Sequence, residues 1–393
     1  MRRWLAMGAL TAIAIVASGP PYTLRTEHYR IETRVDRDLA VPIGEHMDAV
    51  YETYERRFPT LRRRNAAYVR MRLLEDASEY HQFLADNDIS AGSSAGIFFW
   101  KYSNAWLTTY MRGLSERKRE SVLQHEGFHQ FAFMRIGRDL PAWVDEGLAE
   151  YFGEGVMTAG GLQTGLASPG RVAHVRRLID EGDSMPFERI MAISGEEWGH
   201  AVGNGAMGHL YAQVWSMAHF LVHAEGGQYE PMLVRYLELH AREWDPSNAF
   251  AQAFGEFDVE AFEEAWKAYV QQLEPDELSV AAERLEFLGA GLAGLHEGGA
   301  KIDSFEELRT SLEGIRFQVT KSDEGGVRGL SAANPEMFEA PAPAAPGEVA
   351  PGIRLVAPQA GMPPGLEVVG LRAIVSLTWE RAGERLRSKI EYR

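Results

Sequence analysis

The stretch HEGFH, residues 125–129, holds two histidines four positions apart, with a glutamate directly after the first. On a helix, positions i and i+4 share a face. His125 and His129 then present their imidazoles to one point, and Glu126 stands one position round the helix, within reach of a water there. A histidine pair of this kind suits a metal ion, and a catalytic ion takes three protein donors and keeps one position open. Glu146, in WVDEGLAEYF, is the natural third donor, because it follows His129 after one short loop on a segment able to lie against the first. Glu150 is one turn further along the same face. There it can accept the second ring N–H of a ligand histidine, His125 first, which fixes the tautomer and raises the ligand's basicity.

Nitrogen and oxygen donors of this set suit zinc, one ion per chain. Cysteine is absent, so thiolate sites and disulfides are excluded. Bound zinc would bring the pKa of a water towards ~7. Glu126 would take a proton from that water and pass one to a leaving amine. The competing reading gives the helices no metal. In it His125 and His129 are partly buried, hydrogen-bonded histidines, the glutamates are a solvated face, and burial of Phe128, Phe131 and Leu148 accounts for the packing.

These residues need a helix over 115–136, with Ser115 as N-cap and Gly137 at its end, and a second over 139–154, with Pro141 in its first turn and Gly153 closing it. Upstream, residues 22–35 alternate as one strand, 42–58 read as a helix, YVRMRLLED (68–76) as a strand and ASEYHQFLAD as a short helix. AGIFFWKYSNAWLTTY (95–110) reads as two aromatic-rich strands turning at Ser103 and Asn104. From 171 to 273 the pattern is mostly helical. The expected organisation is a core over 22–275, an accessory segment over 278–331, a Pro/Ala-rich linker over 332–365 and a C-terminal strand pair over 366–393.

The 393 residues are 45% hydrophobic and 24% charged, the balance of a globular chain with a sizeable core. The net charge of −16 argues against nucleic acid and against polybasic attachment to anionic lipid. MRR, the apolar run WLAMGALTAIAIVA and then SGPP have the layout of a secretory signal over residues 1–18. The apolar run is short against the about 20 residues of a membrane span, so the reading is export to the periplasm, envelope or exterior with no stable membrane insertion after cleavage. An uncleaved anchor is the alternative.

HEGFHQF followed by WVDEGLAEYF resembles the gluzincin branch of the zinc metallopeptidases, HExxH and then a glutamate within W-x-x-E-G-x-A-x-Y. More narrowly, AGIFFWKYSNAWLTTY, LPAWVDEGLAEYFGE, YAQVWSMAHFLVH and AFAQAFGEFDVEAFEEAWKAYV are similar to an uncharacterised bacterial family of peptidase-like proteins carrying a domain of unknown function. The resemblance covers about residues 22–273. It implies an α+β, zincin-like fold: a small mixed sheet, metal-binding helices and a helical lower half, followed here by the small β-containing C-terminal module. It implies His125, His129 and Glu146 as zinc ligands, Glu126 as general base, and a Tyr or His on a later helix against the oxyanion. Tyr211 is the first choice for that donor, with core packing as its other reading, and His209 is the second. His219 and His223 also share a helical face, but Phe220 stands where the glutamate would be, and they read as structural.

The resemblance also implies substrate binding by strand addition along an upstream edge strand, for which AGIFFWKY is the match. The Gly-x-Met-Glu-Asn motif by which the aminopeptidases of the branch hold a free amine is missing, which favours an endopeptidase. Phe98, Phe99 and Trp100 read first as core and second as the lining for apolar side chains. The expectation is an exported zinc metallopeptidase acting on peptide or protein. Two alternatives stay open, a catalytically silent peptidase-like binding module and a structural envelope protein whose tail is the attachment. A chain cut after residue 275 is expected to keep activity if the core alone is the enzyme.

Overall fold

The computed structural model describes residues 20–61, 69–90, 92, 94–101, 104–138, 140–203, 207–255, 258–323, 326–341, 351–359, 361–382 and 385–393. The signal-like run and Ser103 lie outside them. The fold is α+β.

The stretch 22–35 is not one strand. It forms a hairpin of β1 (Tyr22–Arg25) and β2 (Tyr29–Thr33), paired antiparallel. The break comes from Asp48 in α1 (Arg37–Arg57), whose carboxylate accepts hydrogen bonds from Thr26 Oγ1 and from the backbone N–H groups of Glu27 and His28. Three donors gathered on one carboxylate favour a turn there over continued alternation. Next come β3 (Val69–Leu74), α2 (Ala77–Asp86), β4 (Gly96–Lys101) and β5 (Asn104–Tyr110). The sheet order is β1-β2-β3-β5-β4, with β2, β3 and β5 parallel and β4 antiparallel to β5. Among the described residues the sheet therefore ends in β4, whose outer edge has no neighbouring strand.

Helices α3 (Glu116–Arg135) and α4 (Ala142–Gly153) follow β5. Ser115 caps α3 by accepting from the Lys118 N–H at 3.1 Å, and Gly137, at φ 140°, ends the helical run. A short hairpin, β6 (Val156–Thr158) and β7 (Gly161–Gln163), leads into the helical half. That half comprises α5 (Pro169–Glu181), α6 (Phe187–Met191), α7 (Gly195–Gly203), α8 (Met207–His223), α9 (Glu230–Ala241), α10 (Pro246–Phe254) and α11 (Val259–Gln272). One apolar cluster joins the α1 side of the sheet to these helices through Tyr54, Phe128, Phe131, Phe152, Trp215 and Trp266.

Residues 342–350 of the expected linker lie outside the described residues, and the described elements beyond residue 275 are more than the expected strand pair. They are α12 (Glu277–Glu297), α13 (Phe305–Gly314), the hairpin β8 (Gln318–Asp323) and β9 (Gly326–Ser331), and a four-stranded antiparallel sheet. Its strands are β10 (Gly352–Val356), β11 (Gly365–Val369), β12 (Val375–Ala382) and β13 (Arg385–Tyr392), in that order. β10 lies inside the stretch expected as linker. Prolines on both sides dominate the composition there and mask a five-residue strand at the sheet's edge, where proline is tolerated. Leu285, Leu288 and Leu292 of α12 pack with Leu366, Val375 and Leu377 in a second apolar cluster. Val156 and Leu166, from the hairpin region after α4, belong to the same cluster.

Candidate metal centre

Helix α3 divides its sides between packing and chemistry. Leu123, Gly127, Phe128, Phe131 and Ala132 are buried against the core, whereas His125, Glu126, His129 and Phe133 are only partly covered. Apolar burial and the histidine pair thus use different faces. Gly127 inside HEGFH lies close to α1: a Cβ there would sit 2.8 Å from Met47 Cε, the flexible end of its side chain, and 3.3 Å from Tyr54 Oη. Tyr54 Oη donates to the Gln124 carbonyl at 2.5 Å, tying α1 to α3 beside the motif. Helix α4 presses equally close to α8, since a Cβ on Gly147 would lie 2.6 Å from the Val214 carbonyl oxygen.

With the helices so fixed, three donor atoms converge. His125 Nε2 and His129 Nε2 are 3.1 Å apart, and Glu146 Oε2 lies 3.5 Å from the first and 3.4 Å from the second. Three corners of a tetrahedron with bonds of about 2.0–2.1 Å are roughly 3.3 Å apart, so the spacing fits one zinc-sized ion. Glu146 Oε2 is buried and, among the described residues, has no hydrogen-bond partner, as a coordinating oxygen should. The outer nitrogens are also held. His125 Nδ1 meets Glu150 Oε1 at 3.0 Å, and His129 Nδ1 meets Asp145 Oδ2 at 3.1 Å. Each Nδ1–H donated to a carboxylate leaves an Nε2 lone pair facing the centre. The donor set therefore fits the metal expected from its residue types.

The local field is that of a cation site. Burial would lower the His125 pKa, but Glu146 and Glu150 outweigh it and hold the imidazole up at about 9. His129 is likewise raised against its burial, by Asp145 and Glu146. Burial would raise Glu146, yet the imidazoles of His129 and His125 bring it down to about 2. Glu150, buried too, is held well below the usual carboxylate range by Arg171 and His125. Arg171, itself only 2% exposed, reaches Glu150 Oε2 with Nη1 at 2.5 Å and Glu154 Oε1 with Nε at 3.1 Å, and lies over the Trp215 ring.

Glu126 is anchored by the sheet. Its Oε2 accepts the backbone N–H of Phe98 in β4 at 2.7 Å. That N–H therefore points away from β5, so the N–H and C=O groups of Gly96, Phe98 and Trp100 face the open edge. Of the two expected oxyanion donors, Tyr211 is the one against the histidines: its ring centroid is 6.3 Å from that of His125, and Trp198 meets it edge-on at 5.6 Å. Burial, then Glu146 and Glu150, push the Tyr211 pKa far up, so the hydroxyl stays a donor. His209 instead stacks on His174, with His209 Nδ1 3.2 Å from His174 Nε2.

His219 and His223 make structural bonds. His219 Nδ1 is 2.7 Å from Tyr269 Oη and its Nε2 3.2 Å from the Gly165 carbonyl, while His223 Nε2 is 3.0 Å from Tyr151 Oη. Phe98, Phe99 and Trp100 separate by strand parity. Phe99 is buried beside Phe83 of α2, and Phe98 and Trp100 turn to the α3 side.

Asp145, Arg171 and the Phe98 N–H are the site groups that spacing alone does not reveal. Asp145 had a signal. In an antiparallel helix pair, a step forward in α3 is matched by a step back in α4, so His129 should find its partner about a turn before Glu150.

Residues 119–243 match the family model described as "Protein of unknown function (DUF1570)". The matched stretch contains the three converging donors, Glu126, Asp145, Glu150, Arg171 and Tyr211. No curated protein matches the chain.

Proposed function

We propose that this chain is a zinc-dependent metallopeptidase of the gluzincin type, an endopeptidase that meets its peptide or protein substrates after export. The observation that carries the reading is the convergence of His125 Nε2, His129 Nε2 and Glu146 Oε2 at 3.1–3.5 Å, beside a Glu126 carboxylate fixed by the edge strand. Zinc held by those three atoms supplies Lewis acidity, polarising a carbonyl and bringing the pKa of a water down to about 7.

The chain's own groups account for the rest. The Phe98 N–H holds Glu126 by Oε2, which leaves Oε1 to take a proton from the attacking water and deliver it to the departing amine. Glu150 and Asp145 hold the Nδ1 protons of His125 and His129 and so keep both Nε2 atoms as donors. Tyr211 keeps its proton and donates it in a hydrogen bond to the oxygen that gains charge. A substrate strand adds along β4, using the outward backbone groups beside Phe98 and Trp100. The amino-terminal apolar run supports export.

The test pairs metal analysis with turnover. Wild type and Glu126→Gln should each hold one zinc per chain. Wild type should cut a mixed peptide library, and the variant should cut it on the order of 10²–10⁴ times more slowly. Equal cutting by both would assign the activity to a contaminant, and a wild type that takes up no zinc would end the reading.

A further inference from the structure

Beyond the metal, the open edge of β4 carries an aromatic platform that packing does not require. Trp100 is 44% exposed, and its ring stacks on Phe133 of α3 with centroids 5.1 Å apart and planes 27° from parallel. Phe98 closes the group, 5.4 Å from Phe133 and 6.1 Å from Trp100. A large indole left in water beside two partly covered rings is a surface that gains by being covered.

Its position relates it to the site already described. Phe98 is the residue whose N–H holds Glu126. Glu126, His129 and Phe133 fall at i, i+3 and i+7, one face of α3. Phe133 is thus one turn beyond His129, about 6 Å along the axis. Trp100 is two residues beyond Phe98, about 7 Å along the strand. Both measures put the platform about two substrate residues from the bond that Glu126 addresses, on the strand face where a same-side chain would project. Arg138 lies at the rim, exposed, with its guanidinium 5.5 Å from the Phe133 ring centre and 5.8 Å from that of Trp100. Among the described residues it makes no ion pair.

Resting on the peptidase reading, we propose that Phe98, Trp100 and Phe133 form a specificity subsite for an aromatic side chain two residues from the cleaved bond, and that Arg138 adds a preference for a carboxylate beside it. An aromatic ring lies across the stacked pair, while the backbone between it and the cut bond pairs with the outward groups of β4. The carboxylate meets a guanidinium that the rings already hold in place.

The experiment uses the whole chain and three blocked, alanine-rich hexapeptides: one plain, one with a single phenylalanine, and one with phenylalanine next to aspartate. In wild type the phenylalanine peptide should exceed the plain peptide in kcat/KM by about tenfold or more, cut two residues from the ring. The aspartate should raise it further. Trp100→Ala should collapse the phenylalanine preference towards unity, and Arg138→Glu should reverse the aspartate preference. Binding of tagged versions of the same peptides to Glu126→Gln, with and without Trp100→Ala, reads the platform without turnover. Cutting with no aromatic preference, or with a preference that survives Trp100→Ala, overturns the subsite and leaves the peptidase standing. Binding that depends on Trp100 in a chain that cuts nothing upholds the subsite and removes the peptidase reading. No cutting and no Trp100-dependent binding removes both.

Discussion

Each histidine of the proposed zinc site has its own carboxylate, and the two carboxylates differ in setting. Glu150 is gripped by the buried Arg171, whereas the side chain of Asp145 is 30% exposed. On the zinc reading proposed above, Asp145 would act on the ion through His129, whose Nδ1 it meets at 3.1 Å. Asp145→Ala should weaken zinc binding about 10–100-fold, and Asp145→Asn, which still accepts from Nδ1–H, should recover most of it, as read by competition with a chelator. An Asp145→Ala chain that holds zinc as tightly as wild type would deny that role. The site was legible in the sequence wherever one helix sets the geometry. His125, Glu126 and His129 lie on one turn, and Glu146 and Glu150 repeat that spacing. What stayed hidden depends on contacts between elements. The Asp145–His129 pair needs the register of α3 against α4, and the anchoring of Glu126 needs β4 beside α3.

The elements carry this centre by close approach. Gly147 allows α4 to touch the backbone of α8 at Val214, directly after Glu146. Gly147→Ala forces a methyl against a carbonyl oxygen that cannot swing aside, and α4 must move. The expected cost is about 1–3 kcal/mol in urea unfolding, together with a weaker grip on zinc. A variant that loses stability but keeps full zinc affinity would show α8 yielding instead of α4. Most elements were visible as periodic runs, α3 most clearly because its cap Ser115 and its end at Gly137 were visible too. The failures came where something distant decides. Asp48 cuts 22–35 into a hairpin, and β10 is a strand because β11 pairs with it, among prolines that read as linker.

At the scale of the molecule, buried histidines make the helical half sensitive to acid. Burial lowers His219 to about 3, aided by His223, and lowers His223 to about 4, aided by Arg57. Their unfolded values lie near 6.5. Between about pH 6.5 and pH 4 the unfolded chain therefore binds protons that the folded chain refuses, and stability falls as the pH falls through that window. Urea midpoints measured from pH 7 to 4.5 should decline, and His223→Gln should flatten the decline. An unchanged slope would assign the acid response to other groups. The C-terminal module matters at the same scale. It shares an apolar cluster with Val156 and Leu166, the Asp276 N–H bonds to the Ala167 carbonyl, and Lys389 pairs with Glu116 at the start of α3. A chain cut after residue 275 should accordingly melt several degrees below the whole protein in calorimetry, because it uncovers those side chains. Equal melting temperatures would make the module a passenger.

That shared cluster also sets an order in time. Val156 and Leu166 leave the ribosome well before Leu285, Leu366 and Leu377, which must cover them. At about 5–20 residues per second, the interval lasts on the order of ten seconds. Until it ends, Val156 and Leu166 lack the side chains that cover them. A nascent chain thus acquires its histidines and glutamates early and the apolar cover of Val156 and Leu166 late.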